Sequence, residues 1–335
     1  MFTLRFDMRA PAFGAPIDEL YSAAIEMCAW AEPRGALVAV LSEHHGTDDR
    51  HLPSPLVLAA AIAGRTERLP ILVAALVLPF YEPVRLAEDI GVLDIVSGGR
   101  VAYVLGVGHR AEEYEHFGVE MAHRGQLADD HLQLLRRLLT GDAVVEGDRS
   151  TRVTPAPLTA GGPQLFIGGG SVAAARRAGR FGLGLIAQAA APGMKDAYEA
   201  ACRAAGHEPG VLRRPDPASP TAVFVADDVD RAWDELGRHL LHDAVTAASY
   251  RQGEASVASI STARTVDELR ADTAYRVLTV DEAAARVREG AALPLLPLCG
   301  GLPPAEAWPY LERAAEAVGR ARASAPAPAP APTPA

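Results

Sequence analysis

Eight short apolar runs, each followed by a stretch with helical spacing, constrain this chain more than any other feature. Phe2–Met8, Leu37–Leu41, Ile71–Leu78, Val101–Leu105, Gln164–Ile167, Leu183–Ala187, Thr221–Val225 and Leu293–Leu298 read as strands. Helices are predicted at Pro16–Glu32, Pro55–Arg65, Pro83–Val96, Arg124–Leu139, Val172–Phe181, Lys195–Ala205 and Val229–Leu241, with Pro304–Arg320 closing the chain. Strands joined through helices pair in parallel, because a tight hairpin turn is not available to them. Eight such units predict a (β/α)8 TIM barrel. The competing doubly wound sheet needs fewer strands and a Gly-rich turn after the first one. No such turn follows Phe2–Met8.

A chain of 335 residues, 49% of them hydrophobic, can bury one large core. The expected division is a barrel domain over residues 1–322 and a disordered Pro-Ala tail over 323–335. Two stretches break the rhythm. Asp142–Gly162 is rich in Gly, Pro and Thr and predicts an excursion with a short hairpin. His242–Thr279 is irregular throughout. Insertions in a barrel tend to form walls over the active-site face.

The formal net charge of −10 argues against a broad surface for nucleic acid or anionic lipid. No apolar run is long enough for a membrane span, and the first residues lack the pattern of an export leader. Cys28, Cys202 and Cys299 stand far apart, which predicts reduced thiols in a cytoplasmic protein and no zinc site.

The second apolar run ends in Ser42-Glu43-His44-His45. Chemistry in parallel α/β folds gathers at the carboxyl ends of strands, and imidazole moves protons near neutral pH. A hydrogen-bonded loop histidine explains the residues equally well at this stage. Adjacent histidines diverge, so a metal site is not expected. Gly106-Val107-Gly108-His109-Arg110 follows the fourth strand, and glycines there free the barrel rim for a ligand. Gly168-Gly169-Gly170-Ser171 opens a helix, whose unpaired N–H groups attract phosphate. Ala74-Ala75, read from its surroundings alone, is core. Gly300-Gly301 reads as a turn into the last helix.

These residues together resemble the bacterial luciferase-like flavin-dependent monooxygenases and the related F420-dependent oxidoreductases. The likeness rests on Ser42-Glu43-His44-His45, Ala74-Ala75-Leu76-Val77-Leu78-Pro79, Pro83-Val84-Arg85-Leu86-Ala87-Glu88-Asp89 and Ser97-Gly98-Gly99-Arg100. Phe117-Gly118, Gly161-Gly162-Pro163, Ile167-Gly168-Gly169-Gly170-Ser171 and Gly300-Gly301-Leu302-Pro303-Pro304 extend it along the chain.

The resemblance implies a homodimeric barrel that binds reduced FMN, supplied by a separate flavin reductase. With O2 it would oxidise a small organic substrate. Hydride transfer with coenzyme F420 is the alternative, and a non-catalytic flavin-binding paralogue is a further one. The resemblance further implies catalytic roles for His44 and Glu113. Ala74, Ala75, Gly106, Gly108, His109, Arg110, Gly168, Gly169, Gly170 and Ser171 would then bind the cofactor. It also implies a cis peptide bond between Ala74 and Ala75. In the light-emitting members, a cysteine and an arginine stand at the places of Gly106 and Val107. Their absence here points away from light emission.

Overall fold

Every backbone group in a buried apolar run needs a hydrogen-bond partner, and here the runs supply one another. The computed structural model describes residues 1–189, 191–216, 218–250 and 260–323. The Pro-Ala tail from Ser324 onward and residues 251–259 of the second insertion lie outside the described residues. Phe2–Phe6 (β1), Ala36–Leu41 (β2), Ile71–Val77 (β3) and Val101–Gly106 (β4) pair in parallel and in order. Val144–Glu146 (β5) and Arg149–Thr151 (β6) form the antiparallel hairpin expected in the first insertion. Leu165–Gly168 (β7), Gly184–Ile186 (β8) and Leu212–Arg213 (β9) continue the parallel sheet. Ala222–Ala226 (β10), Tyr275–Thr279 (β11) and Leu293–Leu295 (β12) complete it.

The last strand lies beside the first, with Leu293 opposite Phe2 and Leu295 opposite Leu4. That return makes the wall of a (β/α)8 TIM barrel. The hydrogen-bonded order is β11-β10-β12-β1-β2-β3-β4-β7-β8-β9, so backbone bonding between described residues stops at β9 and β11. The sheet therefore has ten strands rather than the expected eight. β9 and β11 are the additions. β9 has only two residues, too few for a periodic signal, and β11 lies within the stretch expected to be irregular.

The helices are Ile17–Ala31 (α1), Pro55–Arg65 (α2), Pro83–Ser97 (α3), Ala111–Phe117 (α4), Arg124–Leu138 (α5), Val172–Arg180 (α6) and Met194–Ala204 (α7). Val229–Ser249 (α8), Val266–Ala271 (α9), Val280–Arg288 (α10) and Pro304–Ala323 (α11) follow. Proline at the first position and a side-chain cap start α3, and Gly98 at φ 66° stops it. α8 runs on to Ser249 instead of ending at Leu241, because Asp243 and Ala244 extend its buried side. Burial of Asp243 is offset by the Tyr275 hydroxyl, which donates to it at 2.5 Å, and by Arg9 at 3.2 Å. No helix among the described residues is long and apolar enough to cross a membrane.

Candidate active site

β2 delivers Ser42-Glu43-His44-His45 to the carboxyl end of the barrel. The His44 amide donates to the Leu52 carbonyl at 3.2 Å, and the Leu52 amide donates to the Asp7 carbonyl at 2.8 Å. The loop is thus tied to the end of β1. His44 Nδ1 lies 2.8 Å from Glu113 Oε1, a carboxylate from the first turn of α4. The His45 amide donates to the same oxygen at 3.0 Å, and Arg110 Nη1 donates to it at 3.0 Å. Arg110 Nη1 also reaches the His45 carbonyl at 3.1 Å.

Glu113 is only 1% exposed. Burial alone would raise its pKa. The hydrogen bond and charge of His44, the His45 amide and the Arg110 guanidinium outweigh that and hold the carboxyl at about 2. A carboxylate ionised at neutral pH only accepts hydrogen bonds. His44 Nδ1 must therefore carry the proton, which leaves Nε2 as the basic nitrogen of the neutral ring. Glu113 Oε2 is buried and has no hydrogen-bond partner among the described residues.

His45 faces elsewhere. Its Nε2 lies 2.7 Å from Glu43 Oε1, and Glu43 Oε2 accepts from the Val77 amide at 3.0 Å. Glu43 therefore ties the loop after β2 to the end of β3. The His45 ring packs edge-on against Phe80 and Phe117. The His45–Glu43 pair is thus tied to the scaffold, while His44 is held by Glu113 instead.

The next three strand ends form a floor with little side-chain bulk. The Ala74–Ala75 peptide bond is cis, as the resemblance implied. A β-carbon built on Gly106 would lie 3.3 Å from the Ala75 methyl, and one on Gly168 would lie 3.5 Å from it. So β3, β4 and β7 bring bare backbone around one small methyl group. Beyond β7, Ser171 caps α6 by accepting from the Ala174 amide at 3.2 Å. Gly169 turns the chain at φ 141°. Gly108 has φ 67°, and His109 meets the His44 ring edge-on at 5.8 Å between centroids. Among the arginines of α6, Arg177 and Arg180 are bonded to Asp129 at 2.5 and 2.6 Å. A flat floor, a helix start behind it and a carboxylate-paired imidazole at the end of the adjoining strand fit a flavin-type group. Among the described residues, no group of three or more His, Cys, Asp or Glu is placed to hold a metal ion.

Several residues not foreseen from the sequence complete the site. His51 meets His44 edge-on at 4.8 Å, and burial keeps its pKa well below the usual histidine range. Arg9, at the end of β1, donates to Asp49 Oδ2 at 2.6 Å and to the Tyr250 hydroxyl at 3.1 Å. Its Nε lies 3.4 Å from Asp7 and 3.2 Å from Asp243. His242 Nε2 lies 3.0 Å from Asp49 Oδ2. Burial would raise Asp49, but His242 and Arg9 hold it far below the usual carboxylate range. Charged residues at a strand's carboxyl end were the available signal, and Asp7 and Arg9 carry it as plainly as Glu43. Above them a cleft of about 580 Å³ opens between residues 46–49, residues 109–112 and the end of α8.

The chain is also similar to known proteins in sequence and in fold. The family model described as luciferase-like monooxygenase matches residues 6–294. The alkanal monooxygenase alpha chain of Photorhabdus luminescens is 32% identical over 152 residues, 44% of this chain and 42% of that one. The match thus spans less than half the length of this curated relative. Among solved structures, monooxygenase RslO1 from Streptomyces bottropensis superposes with a TM-score of 0.74 at 21% identity, covering 96% of this chain and 99% of that one. The oxygenating constituent of 3,6-diketocamphane monooxygenase from Pseudomonas putida, a type II Baeyer-Villiger enzyme in complex with FMN, superposes at 0.66 with 18% identity over 95% and 98%. An F420-dependent secondary alcohol dehydrogenase, in complex with an F420-acetone adduct, superposes at 0.61 with 17% identity over 88% and 92%. At such identities these three likenesses speak for the fold.

Proposed function

We propose, for a chain that belongs to the luciferase-like monooxygenase family, the activity of a flavin-dependent monooxygenase that uses reduced FMN and O2 on a small organic substrate. The observation that carries it is the pairing of His44 with an ionised Glu113 on the strand next to the cradle of Ala75, Gly106 and Gly168. Reduced FMN, when bound, supplies the electrons that activate O2. Ala74, Ala75, Gly106 and Gly168 accept the ring system on bare backbone. The amides of Gly170 and Ser171, at the start of α6, take the phosphate. Gly108, His109 and Arg110 border the same rim. His44 Nε2 accepts a proton from the reacting substrate and returns it, while Glu113 holds the ring in one tautomer. The barrel wall excludes water from the floor.

A separate flavin reductase completes the proposal, since the Pseudomonas protein above is itself only the oxygenating constituent of its monooxygenase. Exposed Val57 on α2 and Val92, Ile95 and Val96 on α3 support a homodimer through that side of the barrel. Three buried free thiols, Cys28, Cys202 and Cys299, suit a reducing cytoplasm.

Hydride transfer with F420 is the second reading, favoured by the likeness to the F420-dependent alcohol dehydrogenase. In that case His44 would polarise or deprotonate a substrate oxygen. Anaerobic titration of the purified protein with reduced FMN, oxidised FMN and reduced F420 separates the readings. Binding of reduced FMN is expected. Binding of F420 alone would establish the second reading, and binding of none would leave a non-catalytic paralogue.

A further inference from the structure

Tyr250 lies at the end of α8, far from His44 in sequence, yet its ring packs against the imidazole. The two ring centroids are 4.9 Å apart, with the planes inclined at 59°. Two cations hold that ring in place. Arg9 donates to the phenol oxygen at 3.1 Å, and the Arg110 guanidinium sits over the ring face at 4.2 Å from its centroid. Neither cation is free to wander. Arg9 is buried against Asp7, Asp49 and Asp243, and Arg110 is bonded to Glu113 and to the His45 carbonyl. A phenol gripped at its oxygen and its face loses most of its rotamer freedom.

The position of the outer cleft gives this grip a consequence. Tyr250 and His109 line the cleft, and both touch His44 from that side. His44 itself is not among the cleft's lining residues. The tyrosine ring therefore forms part of the partition between the cleft and the imidazole. We propose that Tyr250 is a specificity-determining residue, a fixed aromatic wall that limits the size and approach of any molecule reaching His44 from the cleft. The proposal rests on the assignment of His44 as the reactive histidine. It also places Arg9 in a second role, as the residue that positions the wall. Replacement of the ring by a small side chain would open the cleft toward His44 and admit bulkier substrates.

The test needs neither cofactor nor substrate. Diethylpyrocarbonate modifies accessible neutral imidazoles, and mass spectrometry of peptides reports each histidine separately. His123, whose side chain is 75% exposed, serves as the internal reference. In Tyr250→Cys the rate of His44 modification, relative to His123, should rise severalfold. Benzyl methanethiosulfonate should then label the introduced thiol selectively, because Cys28, Cys202 and Cys299 are buried. The restored aromatic group should bring His44 protection back in the same polypeptide, which a general loosening of the fold would not allow. An unchanged His44 rate in Tyr250→Cys, or exposure that benzylation does not reverse, would overturn the proposal. Failure to bind FMN or F420 in the titrations above would leave this result intact, so the two ideas fail separately.

Discussion

His44 Nδ1 and Glu113 Oε1 lie 2.8 Å apart although 69 residues separate them along the chain. The contact fixes a tautomer as well as a position, because an ionised carboxylate obliges Nδ1 to carry the proton. Glu113→Gln keeps the shape of the side chain but can present either a donor or an acceptor. Long-range 15N–1H correlation spectra should show a single Nδ1–H tautomer for neutral His44 in the parent protein and a mixture in the variant. Flavin-dependent turnover should fall about 100-fold, the lower end of the range that general acid–base catalysis contributes. A single unchanged tautomer in Glu113→Gln would remove the positioning role.

The same carboxylate predicts an acid limb of stability. Its pKa is about 2 in the folded protein, against roughly 4.3 for an unperturbed glutamate. A depressed folded-state pKa stabilises fully above the unfolded value and loses that contribution as pH falls toward the folded one. The loss from Glu113 should amount to about 2–3 kcal/mol between pH 5 and pH 2. Thermal unfolding of the parent should therefore fall more steeply over this interval than that of Glu113→Gln. Parallel curves would contradict the assignment.

The cradle yields a prediction about binding that is independent of catalysis. Neither Gly106 nor Gly168 has a left-handed φ, so a side chain at either position strains no backbone. A β-carbon on Gly106 meets only the Ala75 methyl at close range, whereas one on Gly168 lies 2.9 Å from Val104 Cγ1. Gly106→Val should fill the floor and weaken flavin binding by at least about tenfold, or 1.4 kcal/mol. Gly168→Ala should weaken it as well, with an added stability cost from displacing Val104. Fluorescence titration alongside thermal unfolding distinguishes the two effects. Unchanged affinity in both variants would move the ring site elsewhere.

What could be read from the chain follows from how local each signal is. Ile71–Val77 and its neighbours announce themselves because buried parallel strands are apolar on both faces. His44 stood out as a candidate because it follows such a run directly. Glu113 and the alanine pair became visible only through likeness to a family, since nothing in their own surroundings separates them from loop and core. α4 was missed because its sequence, AEEYEHF, carries no apolar stripe. The far end of α8 was missed because a charged residue, Asp243, occupies a buried position that periodicity assigns to an apolar one. Tyr250 and Arg9 meet across 241 positions, and no local pattern encodes such a contact.

Arg9 gives the sharpest energetic prediction. It touches three buried carboxylates, Asp7, Asp49 and Asp243, and without it only the charge of the nearby Arg5 and the His242 contact to Asp49 would oppose their mutual repulsion. Arg9→Met retains the apolar stem and deletes the charge. Breaking a buried charge network from one side costs about 3–5 kcal/mol, which for a chain of this size lowers Tm by about 4–7 °C. The deficit should depend on pH in a definite sense. Without the guanidinium, the clustered carboxylates hold protons more tightly in the folded protein than in the unfolded one. Acid therefore favours the folded variant, and the gap to the parent should be wider at pH 8 than at pH 4.5. Asp243 already lies above the usual carboxylate range, through burial and the nearby Asp7 charge, so it should take up the first proton. Adding Asp243→Asn to Arg9→Met should recover part of the loss at pH 8 and little at pH 4.5. A deficit that is equal at both pH values would show that the arginine acts through packing alone.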